Sequence, residues 1–493
     1  MIFYSTRDNK KTPYQPAEVI KMGLAPDGGL FVPDHIPSVS TRELISMSEL
    51  KYEELAARIL SLYLTDYTYD ELLEDCSAAY SAKSFPDGAC PLVCVGDNMY
   101  SLELWHGPTC AFKDMALQLV PRLLSRALVK CGETHEALVL VATSGDTGKA
   151  ALEGYKNIDR LNIAVFFPSD GVSEIQKLQM QTQDGSNVHV AGLRGNFDDI
   201  QTAVKNIFAD PVKTEELDRR GYFFSSANSI NFGRLAPQIV YYFKAYLDLV
   251  KGGKVEVGES INICVPTGNF GNILAAYIAK LMGLPINKLI CASNTNNILT
   301  DFLKSGRYDR NRGFLLTISP SMDILISSNL ERLIYLVGGC EYTAKCMEEL
   351  KNLGSYQVNE EILSKIQESF CGYYADEELT RATVKKYFEK FAYLLDTHTA
   401  VAFAALDKYL ESTADNTPCV VASTASPYKF AADVYSSIFG TAPDEGTGAL
   451  YSLSSRTNTE IPHPLKDLSS KKIRFDGITD TDHILDEIEA LMK

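Results

Sequence analysis

The sequence has no apolar run approaching the roughly 20 residues that a membrane-crossing helix needs, so a membrane-spanning reading falls away first. Its beginning, Met1-Ile2-Phe3-Tyr4-Ser5-Thr6-Arg7-Asp8, has no basic segment followed by an apolar one, and no secretory signal is expected. Positive charge is short: 47 Lys and Arg against 63 Asp and Glu leave a net charge of −16. That field excludes nucleic acid and anionic membrane surfaces as natural partners. A small anion is still possible, because its site is built locally. The seven histidines (35, 106, 135, 189, 398, 463 and 483) are scattered without metal-ligand spacing, so no metal is expected. His398 heads a helical pattern, and a structural role is its expected use. The eleven cysteines form no CxxC pairs and often have apolar neighbours, which points to reduced, buried thiols in the cytoplasm. Ser144 lacks a GxSxG setting, so a nucleophile elbow is not expected.

What is present is a long chain, 493 residues, able to bury a large core in two or more domains. Residues 1–85 are polar and turn-rich, with helical patterns near 48–63 and 69–82, and read as an accessory N-terminal domain. From about 91, short β-branched runs alternate with helical segments. Strands are expected at 137–143, 162–167, 187–191, 261–265, 288–292 and 418–422, with helices between them. Such alternation means α/β subdomains built on parallel sheets. Residues 305–392 break it and read as a helical insert, so the core comprises 86–304 and 393–493.

Four stretches carry chemistry. In Leu104-Trp105-His106-Gly107-Pro108-Thr109-Cys110-Ala111-Phe112-Lys113-Asp114-Met115-Ala116, a turn delivers one lysine to the head of a long helical pattern. Its apolar neighbours desolvate the amine and favour the neutral form, and such an amine is suited to Schiff-base formation with a carbonyl. Pro266-Thr267-Gly268-Asn269-Phe270-Gly271-Asn272 joins a strand to a helix. Its small residues let backbone N–H groups converge on a phosphate at a helix N-terminus. It is neither a GxGxxG fingerprint nor a P-loop. Thr143-Ser144-Gly145-Asp146-Thr147-Gly148 offers donors for a carboxylate, and Ser423-Thr424-Ala425-Ser426 places a hydroxyl after a buried strand. Either of these two could also be a plain helix cap.

Together, a desolvated lysine, a phosphate cup and a strand-end hydroxyl describe a site for pyridoxal 5′-phosphate (PLP). Those motifs resemble the threonine synthase family of fold-type-II, tryptophan synthase β-like PLP enzymes. Further similarity lies in Tyr4-Ser5-Thr6-Arg7, Gly23-Leu24-Ala25-Pro26-Asp27-Gly28-Gly29-Leu30, and Asn228-Ser229-Ile230-Asn231-Phe232-Gly233-Arg234. Ser321-Met322-Asp323 with Ser328-Asn329-Leu330-Glu331-Arg332 resembles the longer class, which has a helical insert. The resemblance implies conversion of O-phospho-L-homoserine and water to L-threonine and phosphate. It makes Lys113 the cofactor lysine and catalytic base, and Gly268, Asn269, Phe270, Gly271 and Asn272 the cofactor-phosphate ligands. It sets Thr424 against the pyridine nitrogen. Thr143, Ser144, Asp146 and Thr147 would take the substrate carboxylate, and Asn231 and Arg234 its phosphate. A mobile subdomain of about 115–225 would close over the substrate, in a monomer or homodimer. The alternative on the same scaffold is a phospho-lyase or deaminase releasing a 2-oxo acid and ammonia.

Overall fold

The structure, a computed structural model, describes residues 1–143, 145–169, 172–195 and 197–492. Two mostly parallel sheets organise it. In the larger, the strand order is Phe370–Tyr374, Ile286–Ser293, Ile261–Pro266, Cys419–Ser423, Met99–Glu103 and Leu92–Gly96, parallel except for the last pair. In the smaller it is Ile478–Thr479, Val188–Leu193, Leu161–Pro168, Glu136–Ala142 and Tyr222–Ser225, parallel throughout. The expected class, two α/β subdomains on parallel sheets, is what the chain adopts. Strands covered by helices on both faces should be apolar along their whole length, and Ile261–Pro266 and Leu161–Pro168 are buried at every position.

The sheet order explains why distant stretches meet. Met99–Glu103, Cys419–Ser423 and Ile261–Pro266 are consecutive neighbours running in the same direction. The segments that follow them, the lysine loop, Thr424 and the glycine-rich turn, therefore emerge side by side. In an open α/β sheet that edge is where ligands bind.

Three elements differ from the sequence reading. The long helix expected after Lys113 is two: Asp114–Leu117 and Val120–Lys130. Pro121 has no N–H and its ring opposes the carbonyl four residues back, so it is best placed in the first turn of a new helix, where it stands. The 305–392 stretch has its helices, Leu330–Leu353, Glu360–Ser369 and Glu377–Phe391, but it also supplies the edge strand Phe370–Tyr374 of the large sheet. The C-terminal segment crosses to the other subdomain. Ile478–Thr479 pairs with Val188–Leu193, and Ile484 and Ile488 join the core beneath the small sheet.

The lysine helix is seated by a close approach. A Cβ at Gly154, in helix Asp146–Tyr155, would lie 1.9 Å from the Leu117 carbonyl oxygen. Because the obstacle is backbone, Gly154→Ala should destabilise the fold by about 1–3 kcal/mol. Chemical denaturation measures this, and an unchanged midpoint would contradict the packing.

Candidate active site

Lys113 caps the short helix Asp114–Leu117. Its amine has one long hydrogen bond, to Ser321 Oγ at 3.4 Å, and Asp146 Oδ2 lies 3.9 Å away. Burial lowers its pKa to about 8; Asp146 works against that shift, and Arg234 and Lys429 add to it. The loop is held from below by Asp114, whose carboxylate accepts the Thr109 N–H at 2.8 Å and the Thr109 hydroxyl at 2.7 Å. Burial pushes the Asp114 pKa up to about 7 against those two bonds. The Phe112 N–H donates to the Thr424 carbonyl at 2.8 Å, and Ala111 pairs with Ala425. Thr424 is thereby tied beside the lysine from 311 residues away in sequence.

The glycine-rich turn leads from Ile261–Pro266 into helix Gly271–Leu281, with Phe270 in the left-handed region at φ 62°. The first N–H groups of a helix have no intrahelical acceptor, and here they face the strand-end edge. Gly268 is required: a Cβ there would meet the Ser321 carbonyl oxygen at 2.7 Å. Behind the turn, Ser327 Oγ donates to the Gly268 carbonyl at 2.7 Å, and the Asn329 backbone N–H and side-chain amide donate to the Asn269 carbonyl at 3.0 and 3.1 Å. Asn272 Oδ1 accepts the hydroxyls of Tyr241 and Tyr242, while its amide nitrogen is buried without a partner. An orphaned donor beside free helix N–H groups fits an anion, and with a poorly partnered lysine close by it fits PLP.

The 143–148 junction is more committed than its sequence suggests. Thr143 Oγ1 accepts the N–H groups of Gly145 and Gly148 at 3.0 and 2.9 Å, so its hydroxyl shapes the turn. Asp146 is buried against Lys429 at 2.8 Å and takes the Gln176 amide at 2.8 Å. Burial opposes its charge, yet Lys429 and Lys113 outweigh it and hold the carboxyl far below its usual range. Thr147 is half-buried in the first turn of helix Asp146–Tyr155. Ser144 lies outside the described residues.

Asn231 caps helix Phe232–Lys251 by accepting the Gly233 N–H at 2.8 Å, and its amide donates to the Ile20 carbonyl at 3.0 Å. Both ends of that side chain are used. Arg234, one turn on, is different. It is buried, Nη1 donates to the Ala227 carbonyl at 2.7 Å, and Nε has no partner. Burial pulls its pKa down to about 10, and no carboxylate among the described residues pairs with it. A buried guanidinium without an anion is expensive to keep for structure alone.

Two residues here were not singled out as site residues from sequence. His398 Nε2 accepts the Ser321 N–H at 3.1 Å and Nδ1 lies 3.0 Å from Asp396 Oδ1, so the histidine fixes the loop that carries the Lys113 partner. These contacts are of the structural kind expected for it, and they place it against the site. Lys429 is the other. The Ser423–Ser426 stretch, read as a strand-end hydroxyl or a helix cap, gave no sign that the lysine three residues beyond it turns inward.

A desolvated amine and an anion cup beyond the carboxyl ends of parallel strands of one sheet define a pyridoxal-phosphate-dependent enzyme, and the family model of that description matches residues 94–424. Models described as threonine synthase N terminus and threonine synthase, C-terminal match 2–80 and 399–490. The chain belongs to the threonine synthase family. It is 36% identical to threonine synthase of Saccharomyces cerevisiae over 518 residues, covering 99% of this chain and 97% of that one. With threonine synthase of Pseudomonas aeruginosa it shares 38% over 432 residues, 86% and 88% of the two chains. With human threonine synthase-like 1 it shares 40% over 427 residues, 84% of this chain; the match spans 57% of that longer protein. The solved PLP-bound threonine synthase from Brucella melitensis superposes with a TM-score of 0.88 at 36% identity, covering 100% and 99% of the two chains. The yeast structure gives 0.90 at 34%, covering 100% and 98%.

Among the described residues no helix is long and apolar enough to cross a membrane, and no group of His, Cys, Asp and Glu is placed to hold a metal.

Proposed function

We propose that this chain converts O-phospho-L-homoserine and water to L-threonine and phosphate, with PLP as cofactor. The buried, carboxylate-free guanidinium of Arg234, near enough to Lys113 to depress its pKa, is the observation that carries this reading. A substrate whose leaving group is a phosphate dianion gives that cation its partner. Relatives named threonine synthase at 36–38% identity agree with it.

When bound, PLP supplies an electron sink for the substrate carbons. The chain does the rest. Gly268, Asn269, Phe270, Gly271 and Asn272 grip the cofactor phosphate, and the Asn272 amide gains the acceptor it lacks. Thr424 meets the pyridine nitrogen with a neutral hydroxyl. Lys113 anchors the cofactor between turnovers; displaced by the substrate amine, it takes the proton from Cα and carries protons at Cβ. In the PLP-free chain burial already lowers the pKa of this amine to about 8, toward the neutral form a base requires. Thr143, Asp146 and Thr147 shape the pocket for the substrate carboxylate. Because the Asp146 carboxylate is already paired, backbone N–H groups and the Thr147 hydroxyl make the contact itself. Asn231 sets the helix start that aims Arg234 at the substrate phosphate. Closure of the small subdomain, about 115–225, keeps water out until phosphate has left. Seven of the eleven cysteines are buried, three are half-buried and Cys94 is exposed; all are free thiols, which suits a reducing cytoplasm, and a monomer or homodimer is the expected state.

Product analysis tests this. Protein supplied with PLP and O-phospho-L-homoserine should release threonine and phosphate in equal amounts. Release of 2-oxobutyrate and ammonia instead would establish the lyase alternative, and no turnover would overturn both.

A further inference from the structure

Two lysines share Asp146, and they are not equivalent: Lys429 is fully buried and Lys113 only partly. Lys429 stands in the 3₁₀ turn Pro427–Phe430, which follows strand Cys419–Ser423 of the large sheet. Its fully buried ammonium meets Asp146 Oδ1 at 2.8 Å, the Thr109 carbonyl at 3.0 Å and Gln179 Oε1 at 3.0 Å. An ammonium has three N–H donors, and all three are taken. Lys113, on the other oxygen of Asp146 at 3.9 Å, has a single 3.4 Å hydrogen bond. The same carboxylate therefore holds one lysine tightly as a cation and the other loosely.

The acceptors of Lys429 come from both sides of the cleft. Asp146 begins the helix after the first small-subdomain strand, and Gln179 lies in helix Glu174–Gln181 of the same subdomain. Thr109 belongs to the lysine loop, and Lys429 itself to the large-sheet side. One ammonium thus ties the subdomain expected to move to the loop that carries the reacting amine.

We propose that Lys429 is a positioning residue that ties the small subdomain to the lysine loop and neutralises Asp146, leaving Lys113 as the free amine. The inference rests on Lys113 being the reacting lysine. The charged groups that act on its amine are Asp146, Asp114, Arg234 and Lys429. Of these, Asp146 lies within ion-pair reach of the amine, and Lys429 is the cation paired with it. Without Lys429, a buried Asp146 has only Lys113 to pair with, and a carboxylate at that distance favours the ammonium. The bound amine would then lose nucleophilicity although nothing touching it had changed.

The test uses the full chain with Lys429→Met and the double variant Asp146→Asn/Lys429→Met, which leaves no unpaired buried charge and is the safer one to fold. Two readouts are taken: hydrogen exchange of 146–155 and 174–181 in the PLP-loaded protein, and the pH dependence of Lys113 acetylation by acetic anhydride after PLP removal. Lys429→Met should exchange faster in both segments. Its acetylation midpoint should move up by about one pH unit, so labelling well below the midpoint falls about tenfold. The double variant should keep the fast exchange but return the midpoint to the wild-type value or below. An unmoved midpoint in Lys429→Met overturns the electrostatic role, and unchanged exchange in the double variant overturns the tie. If Lys429→Met does not fold, the double variant alone decides: slow exchange or a raised midpoint overturns the proposal. Neither readout involves phosphohomoserine, so a wrong substrate would leave both results standing. A wrong lysine would show as PLP linked elsewhere.

Discussion

Lys113→Ala should keep its cofactor and lose its chemistry, with kcat/KM for phosphohomoserine falling on the order of 10⁴-fold or more, since the anchor and the acid–base group vanish together. Retention is expected because the phosphate cup, with its helix N–H groups and the free Asn272 amide, does not involve Lys113. Gly268→Val should do the reverse. Its side chain would push on the Ser321 carbonyl and crowd the turn, so PLP is lost while Lys113 stays in place. Gel filtration followed by absorbance separates the two, and borohydride reduction of the wild type should label Lys113 alone. Equal loss of PLP in both variants would break the division between cup and lysine.

Removing the Lys113 amine also has a consequence for stability. A lysine whose folded pKa is lowered from 10.5 to about 8 binds fewer protons folded than unfolded between those values. Its burial penalty is therefore full below pH 8 and fades as pH rises to 10.5. At about 1.4 kcal/mol per unit, Lys113 costs the PLP-free fold roughly 3 kcal/mol at pH 7. Lys113→Met should then be more stable than the PLP-free wild type at neutral pH, with the gap closing above pH 10.

The lysine loop and the cup were legible because each is local: a glycine-rich turn between a strand and a helix carries its geometry in consecutive residues. The place of Thr424, directly after a buried strand, was legible for the same reason, and the role of its hydroxyl stays a proposal. Lys429 was not, because its meaning lies in Asp146, Thr109 and Gln179, each at least 250 positions away. In sequence it is a lysine one turn into a helix, where exposure is the default. Asn231 shows the opposite limit. Residue type alone could not tell a phosphate ligand from a helix cap, and the structure shows the cap: Asn231 Oδ1 accepts the Gly233 N–H, which leaves a direct phosphate contact as a proposal. The short strand Ile478–Thr479 carries no pattern of its own; only the exposed edge of Val188–Leu193 makes it a strand.

Arg234 carries the other large effect. The chain's net charge of −16 opposes the approach of a phosphate dianion, so affinity has to come from donors inside the cleft. Arg234 has one side of its guanidinium fixed by the Ala227 carbonyl and Nε free. Arg234→Lys keeps a charge but loses the planar fork, and Arg234→Met keeps the stem but loses both. Losing a charge-assisted contact costs about 1.5–3 kcal/mol, or roughly 10- to 150-fold in kcat/KM. In the proposed reaction the phosphate is the leaving group, so part of the loss should fall on kcat. Stability distinguishes this from a structural arginine. A buried cation without an anion burdens the empty protein, so Arg234→Met should hold or raise the melting temperature while activity drops. A structural arginine would lower both together. Cofactor absorbance should be unchanged, since Arg234 is assigned to the substrate. Near wild-type kcat/KM in Arg234→Met would remove Arg234 from the site and leave the phosphate to another cation.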